Sequence, residues 1–182
     1  MEPMNITVFG GSHSKPGDRS YLNALELGRQ LGRLGYTVLT GGYIGTMEAV
    51  SRGAFETGGN VIGVTCEEIE SWRPIKPNSW IHEERRHPSL RLRLFDLIEN
   101  CDAALVLPGG PGTLLEISAL WNHMIIQALP CKPLILIGDE WHEIFDQVYT
   151  SLGEYIPEIQ RQFLQFTPDV TSAVQLLIRL KQ

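Results

Sequence analysis

Cysteine is sparse in this chain, and its spacing does not support a cross-linked scaffold. Cys66, Cys101 and Cys131 are odd in number, widely separated and without a Cys-x-x-Cys pair, the usage of a reducing compartment. All three read as buried thiols. Basic charge is also short: 15 Lys plus Arg stand against 21 Asp plus Glu, for a net charge of -6 with no sustained basic stretch. That leaves no support for a nucleic-acid or anionic membrane partner and favours a small ligand. No apolar run approaches the roughly 20 residues of a spanning helix, and Met1-Glu2-Pro3-Met4-Asn5 lacks the basic region of a signal peptide. A cytoplasmic protein is expected. The histidines, His13, His82, His87, His123 and His142, are scattered without metal-ligand spacing, and no metal is expected.

What is present is an ordinary globular composition, 43% hydrophobic and 20% charged over 182 residues. A chain of this length buries about 70% of its extended surface and needs no staples, and one domain spanning 1–182 is expected. Short β-rich runs alternate with helical stretches: Ile6-Thr7-Val8-Phe9, Thr37-Val38-Leu39, Val61-Ile62-Gly63-Val64, Ala103-Ala104-Leu105-Val106-Leu107 and Pro133-Leu134-Ile135-Leu136-Ile137. Near-continuous hydrophobicity marks strands covered on both faces, so the fold class is α/β, a Rossmann-like doubly wound parallel sheet with helices on both sides. Tyr21, Leu22, Leu25, Leu27, Leu31 and Leu34 recur at helical spacing before Gly35 and predict a crossover helix. Further helices are predicted over 46–57, 89–99, 113–127, 139–152 and 169–180. The segment 66–87, with Trp72, Pro74, Pro77 and Trp80 among mixed charges, reads as a long functional or mobile loop.

Three of the strands run straight into glycine: Gly10-Gly11-Ser12, Gly41-Gly42-Tyr43-Ile44-Gly45 and Gly109-Gly110-Pro111-Gly112-Thr113. In a parallel sheet these loops share the carboxyl edge, where open α/β sheets bind ligands, and are expected to line one cleft. Glycine lets backbone approach a ligand, and the amides that open the following helix make a phosphate seat. Gly10, Gly11, Ser12, Gly41, Gly42, Gly45, Gly109, Gly110, Gly112 and Thr113 are therefore the candidate substrate-binding residues. Neither a Walker A loop nor a Gly-x-Gly-x-x-Gly turn occurs, which weakens ATPase and ordinary NAD-dependent dehydrogenase readings. Tyr43 reads as an exposed turn tyrosine, and Met47, Met124 and Trp121 as core or dimer surface.

The segment PGGPGTLLE at 108–116 resembles the PGGxGTxxE signature of the LOG (Lonely Guy) family, proteins long mislabelled lysine decarboxylases. VFGGS at 8–12, GGYIGTMEAVSRGA at 41–54 and GGNVIGV at 58–64 resemble further family segments. The resemblance implies a homodimeric nucleotide-binding protein without cofactor. Its implied reaction is cleavage of the N-glycosidic bond of purine nucleoside 5′-monophosphates, including N6-substituted adenine nucleotides such as cytokinin riboside monophosphates, to base and ribose 5-phosphate. Carried over by position, Gly109, Gly110, Gly112 and Thr113 would hold the phosphate, Glu116 matches the signature Glu, and Arg93 falls on the Arg of the family's ERK motif. Leu92 and Leu94 replace the flanking Glu and Lys, and Gly45-Thr46-Met47-Glu48 replaces Gly-Leu-Met-Gly.

Cleavage of that bond builds oxocarbenium character on the ribose, which calls for negative charge and an activated water. Glu116 and Arg93 are the candidate catalytic residues. If Thr113 opens the helix, Glu116 lies in its first turn, where it could equally close a capping box. Since Arg91 and Arg93 are two apart, only one can face a given cleft. Lysine decarboxylation is rejected, because none of Lys15, Lys76, Lys132 and Lys181 has a convincing Schiff-base setting. Two other classes remain open: a non-catalytic binder resembling molybdenum-cofactor carrier proteins, and a nucleotide-sensing module. Leu120, Trp121, Met124 and Ile125 could form either a dimer surface or a core stripe.

Overall fold

The apolar runs become the five central strands of the sheet. In the computed structural model, which describes residues 3–180, these are β1 (Asn5–Phe9), β2 (Thr37–Thr40), β3 (Val61–Cys66), β5 (Ala103–Val106) and β6 (Leu134–Ile137). Two edge strands, β4 (Glu83–His87) and β7 (Leu164–Thr167), complete a sheet of order β4-β3-β2-β1-β5-β6-β7, parallel at every pairing. All four residues of β2, β5 and β6 are buried, as strands covered on both faces must be.

The helices are α1 (Arg19–Arg33), α2 (Thr46–Glu56), α3 (Glu67–Trp72), α4 (Leu90–Glu99), α5 (Pro111–Ile125), α6 (Asp139–Leu152), α7 (Glu158–Arg161) and α8 (Val170–Leu180). Each face of the sheet carries its own apolar core. Leu27 and Leu31 of α1, Val50 and Ala54 of α2 and Leu177 of α8 pack over Ile6, Val38 and Leu105. On the other side Leu97, Ile117, Leu120, Met124, Trp141 and Phe145 pack over Phe9, Leu39 and Val106. Leu120 and Met124 are thus core residues, while Trp121 packs partly buried at the edge of that core and donates its indole N–H to the Gln160 carbonyl at 2.8 Å. Among the described residues no helix is long and apolar enough to cross a membrane.

Glycine sets the spacing of α1 against α2. A Cβ on Gly28 would fall on the Val50 carbonyl, and one on Gly53 would meet the Leu25 carbonyl; both obstacles are backbone, which cannot swing aside. Gly28→Ala is expected to destabilise the fold by about 3 kcal/mol, the upper end for overpacking, read from the denaturant midpoint. An unchanged midpoint would show that the two helices can part without loss.

Several expectations are corrected. The 66–87 segment is not one long loop: it contains α3 and the edge strand β4, whose run Glu83-Glu84-Arg85-Arg86-His87 is charged because an edge strand is half in water and charge discourages further pairing. His87 Nε2 meets Asp96 Oδ2 of α4 at 2.7 Å and fastens that edge. The helix predicted over 113–127 begins at Pro111, with Gly110 as its cap; proline suits the first helical position, where its missing N–H would have been unpartnered anyway. Cys131, between Pro130 and Pro133 in a connecting loop, is exposed, whereas Cys66 and Cys101 are buried.

Candidate functional site

The strand order reverses at β1, which has β2 on one side and β5 on the other, and a crevice opens at such a switch point. There the loops after β1 and β5 are stitched together, the Gly11 amide donating to the Pro108 carbonyl at 3.2 Å. Thr46, opening α2, donates both its amide and its hydroxyl to the Gly11 carbonyl, at 3.0 and 2.9 Å. Above this junction lies a cavity of about 310 Å³, within the usual range for small-molecule sites.

Gly10, Gly11 and Ser12 line it from the first loop and Gly110, Pro111, Gly112 and Thr113 from the third. Because α5 starts at Pro111, the amides of Gly112 and Thr113 belong to its unsatisfied first turn and carry the positive end of the helix dipole. Gly109 stands just behind, its Cα packed against the Thr113 side chain. Gly41, Gly42 and Gly45 do not line the cavity; Tyr43, Ile44 and Met47 from the same stretch do. These glycines make room instead. A Cβ on Gly41 would collide with the Arg93 guanidinium, and one on Gly45, at φ +78°, would lie 2.6 Å from the Gly11 carbonyl.

Arg93 and Glu116 meet at the inner wall. Arg93 is only 7% exposed; Ser89 caps α4, accepting the Leu92 amide, and Arg93 turns inward while Arg91 is exposed. Its Nε donates to the Val64 carbonyl at 2.8 Å, its guanidinium lies 5.9 Å from the centre of the Tyr43 ring, and Nη1 stands 3.8 Å from Glu116 Oε1. Glu116 lies in the second turn of α5, not the first, and no acidic residue occupies the first turn, so the capping-box reading falls. Its side chain is 13% exposed, and burial pushes its carboxyl up to about 7, against the opposing pull of Arg93. A group balanced there can hold or release a proton near neutrality.

Tyr43 is buried, contrary to expectation. Its phenol oxygen accepts the Cys66 amide at 2.7 Å and lies 3.2 Å from Glu70 Oε1, and burial pushes it up to about 12. It is a neutral, fixed floor. Glu48, one of the departures from the family pattern, faces Tyr21, whose hydroxyl donates to it at 3.3 Å. Lys132 is buried with its ammonium donating to the carbonyls of Ile98 and Cys101 at 3.1 and 2.6 Å, a cap for the end of α4. Sequence reasoning missed His13, Ile69, Trp72, Arg73, Ile75 and Leu90 on the cavity wall; the one available signal was the three-residue spacing of Ile69, Trp72 and Ile75. Among the described residues no group of three or more His, Cys, Asp or Glu could hold a metal.

Fold and cavity together define a Rossmann-like α/β protein with a cavity at the switch point of the sheet. The SLOG cluster4 family model matches residues 3–160, and a probable cytokinin riboside 5′-monophosphate phosphoribohydrolase of Oryza sativa subsp. japonica is 31% identical over 179 residues, 94% of this chain and 76% of that protein. The chain belongs to the SLOG cluster4 family and shares the LOG ancestry that its PGGPGTLLE segment resembles. A cytokinin riboside 5′-monophosphate phosphoribohydrolase of Rhodococcoides fascians is 29% identical over 157 residues, 85% of this chain and 74% of the relative. The molybdenum cofactor binding protein of the phototrophic bacterium Rippkaea orientalis superposes with a TM-score of 0.78 at 21% identity, over 100% of this chain and 99% of the other, a likeness of fold.

Proposed function

We propose that this chain hydrolyses the N-glycosidic bond of purine nucleoside 5′-monophosphates, releasing free base and ribose 5-phosphate. Two relatives bear names for that class of reaction. The observation that carries the reading is a carboxylate held near neutrality, Glu116, on the cavity wall 3.8 Å from Arg93 and on the same helix whose first-turn amides open the cavity.

The 5′-phosphate sits on the amides of Gly110, Gly112 and Thr113, where orphan donors and the helix dipole favour an anion. Gly10, Gly11 and Ser12 close the cleft from the other side, and Gly41, Gly42, Gly45 and Gly109 shape the loops. Binding energy from this non-reacting group holds the ribose against Glu116. As the bond from C1′ to the base nitrogen breaks, water attacks C1′; the Glu116 carboxylate takes the proton from that water and offsets the positive charge on the ribose. The base leaves with the bonding pair and takes a proton from solvent, and Glu116 returns to solvent the proton it gained from the attacking water. Arg93 orients Glu116 and keeps enough of it ionised to act. No cofactor takes part in these steps. A homodimer in the cytoplasm belongs to the same proposal, with Leu92, Leu114 and Leu115, exposed on α4 and α5, as apolar surface for the second copy.

Product analysis over AMP, an N6-substituted AMP, CMP and adenosine tests the reading. Purine monophosphates are expected to yield base and ribose 5-phosphate, and adenosine at least about tenfold less, because it lacks the anchoring group. No base from any of them would defeat it. The second reading, a non-catalytic binder of a phosphorylated ligand such as a pterin, draws on Leu92 and Leu94 standing where the family pattern has charges; a pterin that co-purifies with a protein lacking turnover would decide for it.

A further inference from the structure

The cavity has two chemically different ends. Glycine amides, Arg93 and Glu116 make one; Ile69, Trp72, Ile75 and Leu90, with Arg73 among them, make the other, mostly apolar one. The apolar end is built by α3 and the residues after it, and the acidic side chains of α3 hold it in place. Glu68 Oε2 accepts the Leu90 amide at the start of α4 at 2.8 Å, and Glu70 receives Arg86 Nη2 at 2.7 Å besides the Tyr43 phenol. Glu68 and Glu70, two apart and so on different faces, tie α3 to α4, β4 and the Tyr43 loop, while Ile69 and Trp72, three residues apart on the helix, share the side that lines the cavity.

Trp72 stands out on that side. It is 81% exposed, more than any other large apolar residue described. Structural packing does not explain an indole left in water at a cavity mouth, because so exposed a side chain buries little. The Tyr43 ring, by contrast, is buried and has Arg93 above it, so Trp72 is the aromatic face on this wall that a flat ligand can still cover.

We propose that the base of the bound nucleotide stacks on Trp72, and that this contact makes the chain prefer purine over pyrimidine monophosphates. The proposal rests on the reading of the cavity as a nucleoside monophosphate site. With the phosphate on the α5 amides and the ribose at Glu116, the base extends toward Ile69, Trp72 and Ile75, where the exposed indole offers it a face to stack on. Stacking is tolerant of which atoms the ring carries but grows with its area, so a two-ring base gains more than a one-ring base. Trp72 is a specificity residue, with no part in the proton transfer.

Trp72→Ala and Trp72→Phe, assayed beside the wild type, test this. Alanine is expected to raise KM for AMP about tenfold, the lower part of the range for losing a base–aromatic stack, with kcat little changed. It should shrink the AMP-to-CMP preference and leave inhibition by ribose 5-phosphate untouched, while phenylalanine restores most of the affinity. AMP should also quench indole fluorescence in the wild type and not in Trp72→Phe, since Trp80 packs on Phe55 and Arg52, Trp141 lies in the core and Trp121 packs against its edge, outside the cavity lining. Quenching that depends on Trp72 in a protein that turns nothing over would uphold the stacking contact while the hydrolase reading failed. Wild-type KM and base preference in Trp72→Ala, or full quenching in Trp72→Phe, would overturn the proposal.

Discussion

Glu116→Gln is expected to lower kcat for AMP hydrolysis by about 10² to 10⁴, the span typical of losing a positioned general base, while KM moves by no more than a few-fold. Glutamine keeps the shape of the side chain and removes both the negative charge and the proton acceptor. The pH profile sharpens the test. With the carboxyl pushed up to about 7 by burial, the wild-type rate should fall as pH drops through that value and Glu116 takes on a proton, and the variant should lack this limb. Stability moves the other way. Between the ordinary value of 4.5 and about 7 the folded chain holds a proton at Glu116 that the unfolded chain has released, so the group costs stability as pH rises through that window. Glu116→Gln should therefore raise Tm relative to wild type at pH 8 and have little effect at pH 4. A variant less stable than wild type at pH 8 would mean that the charge of Glu116 is better compensated than its burial indicates.

Arg93→Met should lower kcat/KM at pH 7 by at least about 100-fold, in line with removing one preorganised charge from a buried site. Methionine keeps the apolar stem of the side chain while deleting the donor to the Val64 carbonyl and the charge 3.8 Å from Glu116. Among the described residues, the Arg93 charge is what opposes burial and lowers the Glu116 value. Without it the acid limb of the rate profile should shift to higher pH, so the variant recovers part of its lost activity in alkaline buffer. Uniform loss at every pH would assign Arg93 to substrate contact alone, and near wild-type activity would remove it from the machinery.

How far the sequence discloses this site follows from which parts are made locally. The central strands were readable because both faces are covered, leaving runs such as Ala103-Ala104-Leu105-Val106 without a polar break. The edges were not: β4 is written in charges, and β7, Leu164-Gln165-Phe166-Thr167, is four residues with only its ends buried. The six residues of α3 are too few to advertise a helix, and what holds them is tertiary, Glu68 on the Leu90 amide and Glu70 on Tyr43 and Arg86. The apolar end of the cavity stayed hidden for that reason, and so did the burial of Tyr43, whose phenol is satisfied by Cys66 far along the chain. Turn glycines and a local signature did place Gly10, Gly11, Ser12, Gly110, Gly112, Thr113, Arg93 and Glu116 around one cavity. The detail that changed is mechanical: with α5 starting at Pro111, Glu116 lies two residues deeper than the sequence indicated, in the second turn. Its pairing with Arg93 and its burial, rather than the helix start, set its proton affinity.

The most direct test is a mass balance on AMP incubated with wild type and with Glu116→Gln at pH 8, where the wild-type carboxylate is ionised. Adenine and ribose 5-phosphate should accumulate in equal amounts with the first protein and at least about a hundredfold more slowly with the second. AMP left intact by both, or cleaved equally by both, would contradict a role for the buried carboxylate as the base that activates water.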